Sequence, residues 1–242
     1  MKRAARIALV LLTLLFASVP FLLLLCLPAH AQVPPEASRY RLQLLRAAHG
    51  QWGLDAPVAA LAAQVHQESG WRPDAVSRAG ARGLAQFMPA TATWWCQRMG
   101  AAAAGRSAGP SQARPAPSGG SEPREAGSVG AEGCLPHNPA WALRAMVGYD
   151  KFLHDRVPAR FGAFDRLWLA LRGYNGGEAH WRAEGAATGL KEPTRTQIDA
   201  ACGQARRAAV HCRENLGYPA RILQQLQPRY ALWGPVVTEA AR

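Results

Sequence analysis

The chain has 242 residues, of which 49% are hydrophobic and 18% charged, and its formal net charge at pH 7 is +12. This length accommodates one domain with a buried core plus appendages, and the composition excludes a wholly disordered chain. A chain this basic is attracted to polyanions such as nucleic acids, anionic membrane surfaces or acidic wall polymers.

The first thirty-one residues have the pattern of an export signal. Three basic residues in 1–6 precede an apolar run at 7–27, and Ala-His-Ala at 29–31 is a small-x-small cleavage site before Gln32. The run is also long enough to remain in the membrane as an uncleaved anchor, so both outcomes stay open. Residues 1–31 therefore predict export to the periplasm or cell envelope. Removing them, with their three basic and no acidic side chains, leaves a net charge of +9.

Helical patterns dominate the rest of the chain. Apolar spacing, prolines at first turns and an Asp55 cap predict helices over the following ranges: 38–48, 57–69, 89–99, 138–156, 164–175 and 215–227. Patterns of alternating apolar and polar residues, typical of strands, are scarce. The predicted fold class is therefore mainly α.

Residues 100–133 differ in composition from both flanks. They are nearly all Ala, Gly, Ser and Pro, with balanced charges and no aromatic residue. This composition predicts a flexible insertion, and a surface loop without a function of its own is the expected role. The chain is then one domain built from 32–99 and 134–233, with a tail at 234–242.

Cysteine usage agrees with export. Besides Cys26 the chain has four cysteines, an even number that suits disulfides in an oxidising compartment. Three pairings are possible, and we expect Cys96–Cys134 and Cys202–Cys212 because each closes a local segment. A zinc site is disfavoured, since no CxxC or HxxxH spacing is present. No metal is predicted.

Glu68 is the first candidate for chemistry. It lies at the edge of the apolar stripe of helix 57–69. A carboxyl in that place is partly desolvated, which raises its pKa, and an acid that keeps its proton near neutral pH can protonate a glycosidic oxygen. An exposed glutamate at a helix end, without a chemical role, explains the same position, so the position alone leaves both interpretations open.

The segment at 68–92, together with GYNGG at 173–177, resembles the lytic transglycosylases of the goose-lysozyme-like, soluble-transglycosylase superfamily. The positions that match the family pattern are Glu68-Ser69, Trp71, Pro73, Ala75, Ser77, Gly80-Ala81, Gly83-Leu84, Gln86, Met88-Pro89, Tyr174-Asn175 and Gly177. So many matches at the family's spacing make this a specific signal.

The resemblance covers about residues 50–98 and 135–225, which is most of the predicted domain apart from the insertion. It implies a lysozyme-like helical domain with a catalytic cleft. Ala85 and Gly173 depart from the family pattern, where Met and Ala are usual. Neither change removes a reactive group, so they bear on the shape of the cleft more than on its chemistry.

The resemblance implies that Glu68 is the single catalytic acid and base. It would protonate the oxygen between N-acetylmuramic acid and N-acetylglucosamine in peptidoglycan. It would then deprotonate the muramoyl 6-hydroxyl, which closes onto C1 and gives a 1,6-anhydro end without water. The sugar's own acetamido carbonyl stabilises the cationic centre, so the second carboxylate that most glycosidases use is not required. No cofactor is implied.

Four further roles follow from the resemblance. Tyr174 is expected to donate a hydrogen bond to Glu68 and orient it. Ser77 and Gln86 are expected to bind the sugar near the cleavage point, and Met88 to line the groove. These side chains are thus predicted to meet around Glu68.

Two more side chains complete the predicted substrate-binding set. Asn175 either holds the loop that carries Tyr174 or contacts the glycan, and both alternatives stay open. Sugar faces stack on aromatic rings, and Trp71 lies close to Glu68 in the sequence, so we expect Trp71 to face the groove.

Other functions remain to be weighed. A hydrolytic lysozyme would need a second carboxylate or a positioned water, for which Asp74, Asp165 and Glu178 are the candidates. A non-catalytic glycan-binding component of an envelope complex is a second alternative. A nucleic-acid role is disfavoured, because the arginines are dispersed and export separates the chain from cytosolic DNA. The predicted protein is a monomeric enzyme acting on peptidoglycan, with service to a secretion or conjugation apparatus as an open hypothesis.

Overall fold

The computed structural model describes residues 33–107 and 134–239. The predicted export segment and residues 108–133 of the predicted insertion lie outside these ranges. Within them the chain is helical, and β pairing is limited to the isolated bridges Val76–Arg82 and Arg82–Phe87. The predicted mainly α fold class is confirmed. Among the described helices, none combines the length and apolar character needed to cross a bilayer.

Eight α-helices follow one another within the described ranges. In order they are α1 (Pro35–Trp52), α2 (Val58–Ser69), α3 (Pro89–Ser107), α4 (Pro139–Arg156), α5 (Ala163–Gly176), α6 (Glu178–Ala187), α7 (Arg195–Ala200) and α8 (Cys212–Ala220). The chain then continues through a π-helical segment, Arg221–Leu226, and a 3-10 segment, Gln227–Trp233. Proline occupies the first position of α1, α3 and α4, where its missing N–H has no helical partner to lose.

Helix α2 is at the centre of the main core. Every residue from Val58 to Val65 is 2% exposed or less, so the helix is buried on all sides. It packs against α1 and against both C-terminal segments. The sequence pattern predicted only one apolar stripe, whereas the small side chains of Ala59, Ala60 and Ala63 let neighbouring segments approach the other faces as well. The last turn of α2, which carries Glu68, is therefore fixed by packing.

Trp71 is a core residue, and the expectation that it faces the groove is wrong. Gly70 ends α2 in the left-handed conformation, and Trp71 itself has a φ of 68°. These two residues reverse the chain and turn the indole inward, where it is 1% exposed. Its Nε1–H donates to the hydroxyl of Tyr230 at 2.7 Å, and its ring packs against Trp233.

Both predicted disulfides are confirmed. Cys96–Cys134 connects α3 to the segment before α4, and Cys202–Cys212 closes the segment between α7 and α8. Helix α3 continues to Ser107, so residues 100–107 are helical and the predicted insertion boundary at residue 100 is too early. The alanine-rich start of this segment explains the difference, because alanine is the strongest helix former.

A buried ion-pair network joins α5, α6 and α7. The fully buried Arg172 of α5 pairs with Glu184 of α6 at 2.5 Å and with Asp199 of α7 at 2.8 Å. Arg207, from the disulfide-closed segment, pairs with the same Glu184 at 3.1 Å. A buried charge is tolerated only when it is paired, so the four side chains hold these elements in one arrangement.

The turn after α2 is tightly packed at Gly83. A Cβ at Gly83 would lie 1.8 Å from the carbonyl oxygen of Pro136, and φ there is +76°. Gly80 also has a positive φ, of +87°, but open space around a Cβ. We expect Gly83→Ala to lower the free energy of unfolding by about 3 kcal/mol and Gly80→Ala by about 1 kcal/mol. Denaturant unfolding of both variants measures these free energies. Equal losses of stability in the two variants would contradict the close contact at Gly83.

Candidate active site

A cavity of about 420 Å³ opens at the C-terminal end of α2. Apart from Trp71, all the side chains predicted to form the site lie on its wall: Glu68, Ser77, Gln86, Met88, Tyr174 and Asn175. Three elements bring them together, namely the end of α2, the turn at 75–88 and the end of α5. The sequence-predicted set is thus a spatial cluster around one acid.

The carboxyl of Glu68 is enclosed by protein and faces the cavity. Its Oε1 accepts a short hydrogen bond from the hydroxyl of Tyr218, a buried residue of α8. Burial raises the pKa of Glu68 to about 7, and the hydrogen bond from Tyr218 acts in the opposite direction because it favours the anion. Near neutral pH both protonation states are therefore populated, as an acid that must give and then take a proton requires.

Tyr174 does not orient Glu68 directly, contrary to the expectation. Its hydroxyl donates to the carbonyl oxygen of Ala85 at 2.7 Å, so it ties the end of α5 to the turn. Tyr218 makes the contact that was expected of Tyr174. The sequence predicted only a closing helix around Tyr218, since nothing in the sequence brings together two residues 150 positions apart.

Ser77 and Gln86 shape the turn and also face the cavity. The Oγ of Ser77 accepts from the backbone N–H of Ala81 at 3.0 Å, and the Nε2 of Gln86 donates to the carbonyls of Ala75 and Gly83 at 3.2 and 2.9 Å. Within the described residues, the hydroxyl proton of Ser77 and the Oε1 of Gln86 have no protein partner. These two groups are therefore available to a ligand in the cavity.

Met88 and Asn175 occupy further parts of the wall. Met88 is 43% exposed, which is high for an apolar side chain and fits a groove contact. The Oδ1 of Asn175 accepts from the Nδ2 of Asn215 at 3.0 Å. This hydrogen bond holds the last turn of α5, a helix end where a loop was expected to carry Tyr174, and the Asn175 side chain also reaches the cavity.

A second acid lies behind the site in the core. Asp150 of α4 is fully buried, and its Oδ1 accepts from the Nε2 of Gln64, one turn before Glu68 on α2. Burial, with the nearby Glu68 adding to it, raises the pKa of Asp150 well above its usual value. Asp150 is also absent from the cavity wall, so its carboxyl is not placed to act on a ligand there.

The three candidates for the second carboxylate of a hydrolytic enzyme lie outside the cavity wall. Asp165 pairs with Arg195, and Glu178 pairs with two arginines, at 2.6 and 2.5 Å. Asp74 is exposed. The other carboxylate on the wall is Glu214, at the start of α8, which the sequence did not single out.

These features define a mainly helical domain with a half-buried acid, Glu68, on the wall of an open cleft. The described fold is similar to that of the 70 kDa soluble lytic transglycosylase of Escherichia coli, with a TM-score of 0.52 at 18% identity. That match covers 81% of this chain and 25% of the other. The family model described as "Transglycosylase SLT domain" matches residues 43–113, which include Glu68 and the turn at 75–88.

Two curated relatives are similar to about half of this chain. They are the membrane-bound lytic murein transglycosylases F of Alteromonas mediterranea, 30% identical, and of Maricaulis maris, 32% identical, each over 120 residues. The aligned region is 50% of this chain but only 18% of each relative's length. The likeness therefore concerns only part of these relatives.

The Tyr218–Glu68 contact has a measurable electrostatic consequence. Tyr218→Phe removes a hydrogen bond to the anionic carboxylate, so we expect the pKa of Glu68 to rise by about one unit from its value near 7. Tyr174→Phe is the matched control, because its hydroxyl bonds to Ala85 instead. Carbon-13 NMR titration of the Glu68 carboxyl reads the pKa directly. An equal shift in both variants would contradict the assigned roles.

Burial of Glu68 also predicts how stability depends on pH. Its folded-state pKa, about 7, exceeds the ordinary value of 4.5, so the wild type loses stability as pH rises from about 4.5 to 7. We expect Glu68→Gln, which cannot ionise, to be about 2–3 kcal/mol more stable than the wild type at pH 8 and about equal at pH 4.5.

Denaturant unfolding at both pH values measures this difference. Glu192→Gln, at an exposed position, is the control and should show no such pH dependence. A gain for Glu68→Gln that is the same at pH 4.5 and pH 8 would mean that the carboxyl is not desolvated.

Proposed function

We propose that this protein is a peptidoglycan lytic transglycosylase. It cleaves the β-1,4 bond between N-acetylmuramic acid and N-acetylglucosamine without water and leaves 1,6-anhydro ends. The observation that carries the proposal is Glu68, a half-buried acid with a pKa of about 7 on the wall of an open cavity, within the segment that the SLT family model matches. The names of the curated relatives, both murein transglycosylases, support it.

The acid performs two proton transfers in sequence. Protonated Glu68 gives its proton to the glycosidic oxygen while the bond from C1 to that oxygen breaks. The carboxylate that results then takes the proton of the muramoyl 6-hydroxyl, whose oxygen bonds to C1. An acid with a pKa near neutrality makes both transfers feasible, because neither protonation state is strongly preferred.

Tyr218 supports the anionic stage of this cycle. Between the two transfers Glu68 carries a negative charge in a site that disfavours it. The hydroxyl of Tyr218 donates to that charge and holds the carboxyl in place. Tyr218 is therefore proposed as a positioning residue for Glu68.

The carboxylates near the site favour lyase chemistry over hydrolysis. Asp150 is buried in the core, and Asp74, Asp165 and Glu178, like Asp150, lie outside the cavity wall. The substrate's own acetamido group then stabilises the cationic centre. Hydrolysis as in a lysozyme remains the second candidate on one observation, the presence of Glu214 on the wall.

The cell envelope is the proposed location. The predicted export segment and the word "membrane-bound" in the names of both relatives support it. Two cystine bridges fit an oxidising compartment. The basic charge favours an anionic wall. A secretion or conjugation apparatus as partner and a monomeric state remain predictions from the sequence.

Product analysis tests the proposed reaction. We expect mass spectrometry of peptidoglycan digests to show 1,6-anhydro-muropeptides with the wild-type protein. Glu68→Gln should lose at least about 100-fold in rate, because the variant has no proton to transfer. Glu192→Gln is the matched control for loss of a glutamate charge away from the cavity.

Two other results would lead to different conclusions. Reducing-end products that disappear in Glu214→Gln would identify a lysozyme in which Glu214 is the second carboxylate. Normal cleavage by Glu68→Gln would remove the basis of the proposed function altogether.

A further inference from the structure

A second cavity, of about 450 Å³, adjoins the catalytic one. The two share Asn175 and Glu214 as a common wall. Beyond that border, four side chains that bear nitrogen donors line the second cavity: His180, Arg206, Arg207 and His211. We call this group the arginine subsite. A ligand that fills the catalytic cavity can therefore extend into it.

The arginine subsite is built by the disulfide-closed segment at 202–212. Arg207 reaches inward from this segment, is 7% exposed, and donates through Nε to Glu184 at 3.1 Å. A Cβ at Gly176 would lie 2.5 Å from its Nη1, so a residue without a side chain at Gly176 lets the guanidinium pack against the end of α5. The position of Arg207 is thus fixed from two sides.

Two buried polar atoms here have no partner within the described residues. They are the Nη2 of Arg207 and the Nδ1 of His180. Buried polar atoms are nearly always hydrogen-bonded, so the Nη2 of Arg207 calls for an acceptor that the described residues do not supply. Arg206 is exposed and makes no ion pair in the part of the chain that the structure describes. The two guanidinium groups of the subsite thus have N–H donors that no described acceptor engages.

A carboxylate is the ligand group that fits these donors. Guanidinium groups bind carboxylates through paired, charge-assisted hydrogen bonds. Glu214 lies on the border with the catalytic cavity and repels an anion there. The carboxylate is therefore expected on the far side of the cavity, beside Arg206 and Arg207.

We propose that the arginine subsite binds a carboxylate of the stem peptide that peptidoglycan carries on its muramoyl sugar. This inference rests on the proposed function, because it takes peptidoglycan as the substrate. The peptide is attached to the same sugar whose bond Glu68 cleaves, so it leaves the catalytic cavity close to that residue. The adjoining cavity, with donors that lack acceptors, receives it.

Three substrates that differ only in the peptide test the proposal. They are intact peptidoglycan, peptidoglycan whose peptide carboxylates have been converted to amides, and glycan strands from which an amidase has removed the peptides. The variant is Arg206→Gln, at an exposed position that should tolerate the change. Arg213→Gln is the matched control, with the same charge loss at an exposed position of α8 that lines neither cavity.

The subsite predicts a loss that depends on the substrate. On intact peptidoglycan, Arg206→Gln should lower kcat/KM about 5-fold or more, as expected when a charge-assisted hydrogen bond is lost. On the amidated and the peptide-free substrates it should match the wild type, and Arg213→Gln should match it on all three. Equal rates for the wild type and Arg206→Gln on intact peptidoglycan would overturn the proposal, as would the same loss on every substrate.

A binding measurement separates this proposal from the proposed function. In Glu68→Gln, NMR titration with an isolated stem peptide should shift the signals of His180 and Arg206 saturably, and the fully amidated peptide should not. Binding of the acid form alone, with no anhydro products from any substrate, would sink the proposed function and leave the subsite standing. Anhydro products without such binding would sink the subsite alone.

Discussion

The burial of α2 on all its faces is the constraint on which the rest of the site depends. An alanine-rich helix allows neighbouring segments to approach closely, so water cannot reach the end of α2 from the core side. Glu68 then has solvent only through the cavity, and burial moves its pKa to about 7. The same packing lowers the stability of the protein when Glu68 is ionised. Such a trade-off between activity and stability is common for reactive groups in active sites.

The turn at 75–88 forms another part of the cavity wall, and hydrogen bonds from its own side chains hold it in place. Its polar side chains each use one group to hold the backbone and keep another toward the cavity, as Ser77 and Gln86 do. Tyr174 fixes the turn to α5 through the carbonyl of Ala85. Groups held in this way lose little freedom when a ligand binds, so the wall is preorganised.

The sequence predicted what depends on local spacing. The helical class and both disulfides follow from patterns that short segments carry, whereas the clustering of the motif side chains around Glu68 was implied by the resemblance to a family. The predictions from the sequence were wrong where the orientation of a side chain depends on an unusual backbone conformation or on a residue far away in the chain. Trp71 turns inward because of its own positive φ, which an L-residue rarely adopts, and Tyr218 meets Glu68 only through the packing of α8.

One network of hydrogen bonds and ion pairs lies behind both cavities, which also share a wall. Asn215 accepts from Arg172 at 2.9 Å and donates to Asn175 at 3.0 Å, while Arg172 and Arg207 share Glu184. The buried network therefore positions the end of α5 on the catalytic side and the guanidinium of Arg207 on the other. Because buried charges have few alternative partners, a shift of one member moves the others. Contacts made in the arginine subsite are thus linked through hydrogen-bonded side chains to the last turn of α5, which carries Tyr174.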